Sequence, residues 1–200
     1  MKLLGMRPAS ALTRVSEYVP DIVRYVQQII DNGFAYAEEE GVYFDTQAFH
    51  NAGFAYGKTS PHIKNKAELL AEGEGALSAE FKKRCPNDFA LWKKAKAAEP
   101  RWDSPWGSGR PGWHIECSAM ASDLLGADVD INCGGVDLQF PHHDNQLAQS
   151  EAHFGCKQWV NYFLHTGHLH IGMMRVPFRP RQPSPAQPSG SPLTPSDSFD

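Results

Sequence analysis

The 200-residue chain lacks the marks of several protein classes. Its four cysteines, Cys85, Cys117, Cys133 and Cys156, follow no disulfide-framework spacing, which argues against a small stapled secreted scaffold. No secretory leader is recognisable, because Met1-Lys-Leu-Leu4 is followed by Gly5 and Arg7 rather than by a long apolar run. No stretch is apolar enough to span a bilayer. The chain therefore reads as reduced, intracellular and without a membrane partner, its cysteines being free thiols or metal ligands. A basic stripe is also missing. With 19 basic and 23 acidic residues the net charge is −4, so charge alone does not announce nucleic-acid binding. An RNA partner stays open, since shape and a few local contacts can recognise RNA. There is no internal repeat.

The length suggests one or two domains, and 41% apolar residues suffice for a core. Pro20 to Asn32 has helical spacing, with Ile22, Val23, Val26, Ile29 and Ile30 on one face. Pro20 suits the first turn and Gly33 the position past the end. Phe34 to Ala37 and Gly41 to Asp45 read as a hairpin, with Glu38, Glu39 and Glu40 at or near its tip. Residues 46 to 108 are poor in periodic signal and read as an insertion. Within it, Ala67–Glu72 and Ala79–Arg84 are candidate short helices, Asp88–Lys93 a buried strand or short helix, and Pro105–Gly109 a turn-rich loop.

From Trp113 the pattern becomes α/β. Cys117 to Gly126 reads as a helix with Met120, Leu124 and Leu125 inward. Asp128–Ile131 reads as a short buried strand. Cys133-Gly-Gly135 allows a sharp turn or a close backbone approach. His142 or His143 to His153 reads as a helix with Leu147 and Ala148 inward, and Trp159–Leu164 as another strand. Alternating strands and helices imply a parallel sheet. From Val176 to Asp200, seven Pro and five Ser replace nearly all apolar residues. That composition cannot offset its ordering entropy and predicts disorder.

Two segments carry chemistry. Gly109-Arg-Pro-Gly-Trp-His-Ile-Glu-Cys-Ser118 offers Cys117 beside Trp113 and His114. Phe140-Pro-His-His-Asp-Asn-Gln146 offers His142 and His143 at a helix start. A thiolate and one or two imidazoles brought together from separate elements is how zinc sites are assembled.

These segments, together with Leu12-Thr-Arg-Val-Ser-Glu-Tyr-Val-Pro20, Asn32-Gly-Phe-Ala-Tyr36, Pro86-Asn-Asp-Phe-Ala-Leu-Trp-Lys93, Ala148-Gln-Ser-Glu-Ala152 and Tyr162-Phe-Leu-His-Thr-Gly-His-Leu169, resemble the cysteinyl-tRNA synthetase family of class I aminoacyl-tRNA synthetases, eukaryotic cytosolic type. The resemblance runs from about Arg7 to about Ile171. A cysteine ligase of mycothiol synthesis has similar core motifs but accounts less well for the first hundred residues. The resemblance implies an α/β fold: a partial Rossmann-like catalytic domain, its second half, with a connective insertion module and a disordered tail. The divisions expected are 1–33, the end of the first half; 34–108, the insertion; 109–172, the second half; and 173–200, the tail.

The resemblance also implies a reaction. ATP activates L-cysteine as an adenylate, and the cysteine is transferred to its tRNA. A zinc ion that binds thiolate far better than hydroxyl would reject serine. Cys117 and His142 match the family's zinc ligands, and Trp113 the tryptophan closing the amino-acid pocket. His114 and Asp137 fall in pocket-lining motifs. His165 and His168 are read as hydrogen-bonded structural histidines.

Several positions depart from the family. Gln146 stands where the third ligand is a glutamate, and a neutral amide is the poorer ligand. Asn132-Cys133-Gly134-Gly135 replaces a His followed by three Gly, and Cys133 is an adventitious alternative ligand. The N-terminal ligand cysteine and the HIGH-type ATP signature are not found. Gly172-Met-Met-Arg-Val176 stands where a KMSKS-type loop is expected. Losing one stabiliser of a developing phosphoryl charge costs about 10²–10³ in rate. The expectation is a fragment truncated at both ends, with weak or partial zinc and no aminoacylation of its own. Its rival is a regulatory form that binds tRNA or pairs with the full-length synthetase.

Overall fold

A computed structural model describes residues 2–62 and 83–167. The expected helices Ala67–Glu72 and Ala79–Arg84, His168, and the Pro/Ser-rich tail lie outside the described residues, apart from Lys83 and Arg84, which are not helical.

Helix α1, Val15–Asp31, buries Val19, Ile22, Tyr25, Val26 and Ile29. It starts a turn and a half before the expected Pro20, which lies inside it on the exposed side. A proline there forfeits one backbone bond, but Val19 is fixed in the core and water reaches the proline side. The C-cap Asn32 donates its amide to the carbonyls of Ala152 and His153, at 2.8 and 3.0 Å, which ties α1 to a later helix. Gly33 has φ of +84° and turns the chain into the hairpin.

Strands β1 (Ala35–Glu38), β2 (Gly41–Phe44), β3 (Phe89–Lys94) and β4 (Gly109–Pro111) form an antiparallel sheet in that order. The hairpin turns at Glu39–Glu40, with Glu38 opposite Gly41. A Cβ at Gly41 would lie 2.1 Å from the Trp92 carbonyl oxygen, so the close strand contact requires glycine. The open choice at Asp88–Lys93 resolves as strand. A short helix α2, Thr46–Asn51, was not anticipated; Asp45 caps it, accepting from the Ala48 N–H at 2.7 Å.

The second region is a βαβ unit. Helix α3, Trp113–Leu125, begins four residues earlier than expected and buries His114, Ile115, Ser118, Ala119 and Ser122. Leu124 and Leu125 are exposed, contrary to the inward placement expected for them. The small Ser118, Ala119 and Ser122 form the contact face, and Tyr25 reaches across to the Ser122 and Ser150 hydroxyls at 3.0 Å each. Strand β5, Val129–Gly135, continues through Cys133 and both glycines, so the segment is a close approach within a strand, not a turn. A Cβ at Gly134 would meet the His143 ring at 2.6 Å. After turns at Val136–Leu138 and Gln139–His143, helix α4 (Asp144–Phe154) crosses back to β6 (Val160–Thr166), parallel to β5. Leu147 and Ala148 face inward as expected. Among the described residues the parallel sheet has these two strands. Its expected burial is one-sided: Val129 and Val160 are covered, while Ile131 is 60%, Tyr162 72% and Leu164 57% exposed.

One apolar cluster joins α1, β2, β3, α3 and α4 through Ile22, Val26, Phe44, Leu91, Trp92, Ile115 and Ala152. It fixes the start of α3 against α4, and the candidate residues sit at that junction.

Candidate functional site

The site is built from α3, β5, the turn before α4 and the first turn of α4. Cys117 lies one turn into α3. His142 lies in the turn before α4, and Gln146 one turn later on α4. Asn132 and Cys133 lie on β5. Cys117, Asn132, Cys133, His142, His143 and Gln146 line one cleft of about 330 Å³, with Ile131, Leu138 and Trp159 among its apolar walls. The two segments singled out in the sequence are thus brought together.

Trp113 and His114 adjoin the cleft through His142. The Trp113 ring stacks on His142 with centroids 4.4 Å apart. His114 Nδ1 and His142 Nδ1 are 2.7 Å apart. Asp137, exposed in the turn after β5, is not among the cleft-lining residues. It sits beside Gly135, where a Cβ would lie 2.3 Å from its Oδ1, and its charge raises the His143 pKa.

Burial holds the histidines neutral. His142 is pushed down to about 4, chiefly by burial and then by His143. His143 is pushed down to about 4, by burial and then by His165, whose Nε2 lies 2.7 Å from its Nδ1. His114 is held well below the ordinary range by burial, with His142 adding to it. Burial raises the Cys117 thiol, Glu116 adds to this, and a side-chain hydrogen bond from Gln146 partly offsets it. Glu116 is itself raised to about 7 by burial. A thiol pushed up is a poor source of thiolate.

The fit to zinc is incomplete. A structural or catalytic zinc takes three or four strong protein donors. The cleft offers the thiols of Cys117 and Cys133 and the imidazoles of His142 and His143 beside the neutral amide of Gln146. Among the described residues no group of three or more His, Cys, Asp or Glu is placed to hold an ion. These residues alone do not make a zinc site, and no chemical step is assigned through one.

Three contacts escaped the sequence reading. Asn132 donates to Gln146 Oε1 at 3.3 Å, so the two departures from the family pattern touch each other. His143 pairs with His165. Lys58 donates to both oxygens of the buried Glu151 at 2.7 Å and to the Lys157 carbonyl at 2.6 Å. The His143–His165 pair had a signal in the repeated histidines. Lys58 and Glu151 are too far apart in sequence to have one. A larger cavity, about 380 Å³, is lined by Lys58, Glu151, Leu147, Phe163 and His165 and includes none of Cys117, His142 or Gln146.

Comparison with known proteins shows the family. Residues 1–176 match the family model described as tRNA synthetases class I (C) catalytic domain. A Dictyostelium discoideum protein named cysteine–tRNA ligase, cytoplasmic, is 62% identical over 179 residues, covering 88% of this chain and 27% of its own length. Proteins of the same name from Drosophila melanogaster and Homo sapiens are 61% and 58% identical over 176 residues, covering 86% of this chain and 24% of theirs. The chain thus spans about a quarter of the length of these curated relatives. A match over 1–176 takes in the antiparallel sheet, the βαβ unit and every cleft residue, and by it the chain belongs to the class I (C) tRNA synthetase catalytic domain family.

Proposed function

We propose that the chain supplies the amino-acid side of a cysteine–tRNA ligase catalytic centre. The reaction is ATP-dependent activation of L-cysteine followed by transfer to tRNA, in the cytoplasm. The observation that supports it most is the convergence of Cys117, His142 and Gln146, from two helices, on one cleft. The substrate side chain enters beside Cys117 and His142, and the Trp113 ring closes over it. His114 holds His142 from behind. Zinc enters this reading only as a fractional occupant on Cys117 and His142, since Gln146 is a weak third donor. Strands β1 to β3 correspond to the connective insertion, and β4 with the βαβ unit to the second half of the catalytic domain.

These 200 residues taken alone form no adenylate, because neither the HIGH-type nor the KMSKS-type ATP signature is among them. The test is a chimera. Residues 1–176 replace the matching segment of the Dictyostelium relative, and cysteine-dependent ATP–pyrophosphate exchange is measured. Exchange with cysteine and none with serine is expected, alongside no exchange by the 200-residue chain. A folded chimera that binds ATP yet gives no cysteine-dependent exchange, with Gln146 or with Gln146→Glu, overturns the reading.

A second reading has its own support. Exposed Ile131, Tyr162 and Leu164 on the β5–β6 face suit a form that pairs with the full-length synthetase. Capture of that enzyme, lost on Tyr162→Ser, would favour it.

A further inference from the structure

The side chains behind the cleft form a continuous line of hydrogen bonds. Asn132 Nδ2 donates to Gln146 Oε1 at 3.3 Å. Gln146 Nε2 lies 3.0 Å from His142 Nε2. His142 Nδ1 lies 2.7 Å from His114 Nδ1. Cys117 and Gln146 line the same cleft. His114, His142 and Gln146 are all buried.

The direction of this line follows from chemistry. A carboxamide nitrogen donates and never accepts. With Asn132 donating to Gln146 Oε1, the Gln146 NH₂ must face His142. Its Nε2 therefore accepts, and the proton of neutral His142 sits on Nδ1, donated to His114 Nδ1. His114 then carries its proton on Nε2, which is buried without a hydrogen-bond partner among the described residues. One hydrogen of the Gln146 NH₂ is thus directed to His142 Nε2, an atom a metal ion would need.

We propose that the Gln146 carboxamide stands in for a cation in this chain: it occupies the Nε2 lone pair of His142 in the cleft that Cys117 also lines, fixes the His142 Nδ1–H tautomer and shapes the cleft without metal. Gln146 is here a positioning residue. A zinc ion must displace it before reaching His142. The inference deepens the reading of the cleft as an amino-acid site and rests on it only for what enters the cleft, not for the hydrogen-bond line.

The experiment uses the 200-residue chain and zinc alone. Zinc affinity is measured against a chromophoric chelator, and the His142 tautomer by ¹⁵N NMR of the imidazole nitrogens. The expected result is the Nδ1–H tautomer in metal-free protein, unchanged by one equivalent of zinc. Gln146→Glu is expected to tighten zinc by about 10–100-fold, the scale on which groups supporting a metal site act. Should Gln146→Glu fail to fold, Gln146→Met keeps the shape and removes the donor. It is expected to release His142 from the Nδ1–H form. Stoichiometric zinc in the unaltered chain as tight as in Gln146→Glu would overturn the proposal, as would an Nε2–H tautomer in the metal-free chain. Neither result bears on cysteine-dependent exchange, so this proposal and the cysteine–tRNA ligase reading fail by different measurements.

Discussion

The antiparallel sheet and the βαβ unit bury their apolar residues differently. Every residue of β2, and all of β3 but Lys94, is buried, with Phe44, Leu91 and Trp92 packed under α1. On β5 and β6, Val129 and Val160 are buried near one end, while Ile131, Tyr162 and Leu164 face outward. Three large apolar side chains on one small sheet are what an uncovered interface looks like. The strands of the first region are closed into a core shared with α3 and α4; the outer face of β5 and β6 is left exposed. Two leucines on strands test this directly. Leu91→Ala opens a cavity in a filled core and is expected to cost 2–5 kcal/mol, on the order seen for such truncations. Leu164→Ala removes a 57% exposed side chain and is expected to change stability by less than about 0.5 kcal/mol. Urea titration of each variant gives both values. An equal loss at Leu164, growing with protein concentration, would mean that a second copy covers the face and that the two regions do not differ.

The difference also explains what could be read in the sequence. α1 and the hairpin were legible because Ile22, Val26 and Ile29 repeat at helical spacing and the Gly33 and Gly41 breaks bracket the strands. Leu147 and Ala148 were legible for the same reason. Leu124 and Leu125 were not, because hydrophobicity says which residues favour burial, not whether a partner is there to bury them. α3 turns its small residues, Ser118, Ala119 and Ser122, to its neighbours because these admit close helix contact. No periodicity count favours them over leucine. In the site, Cys117 and His142 were legible as family positions. The Asn132–Gln146 contact was not, since residues on β5 and α4 meet only through the crossover.

Asp88 shows that the first region also depends on a polar core. Its carboxylate is buried and accepts from the Tyr36 hydroxyl at 2.8 Å, the Thr46 N–H and hydroxyl at 2.9 and 2.7 Å, and the Cys85 N–H at 3.0 Å. It joins β1, the start of α2 and the approach to β3. Asp88→Ala strands all of these donors and is expected to cost roughly 3 kcal/mol, from the penalty of leaving buried groups unpaired. Thermal unfolding would measure it. A loss below about 1 kcal/mol would mean that water replaces the carboxylate and that the network is not structural.

A smaller effect than that of Asp88→Ala separates the regions by pH. The histidines with lowered pKa, His114, His142, His143 and His153, all lie in the second region. A histidine near 6.5 when unfolded and at about 4 when folded binds fewer protons in the native state between those values. Stability contributed there is present above about pH 6.5 and is lost as pH falls toward 4. Glu116, raised from 4.5 to about 7, acts in the opposite sense, its neutral form favouring the folded state as pH falls through 7. Asp144 and Glu151, raised by burial, add to Glu116 toward the acid end. The histidines outnumber Glu116 between pH 7 and 5, so a net loss of roughly 2 kcal/mol is expected over that range. Glu116→Gln removes the group that opposes the histidines from about pH 7 downward and should steepen the fall. A midpoint temperature flat between pH 7 and 5, or a shallower slope in Glu116→Gln, would show that these imidazoles are not held neutral. The same result would remove the support that burial gives to the Asn132–Gln146–His142–His114 line.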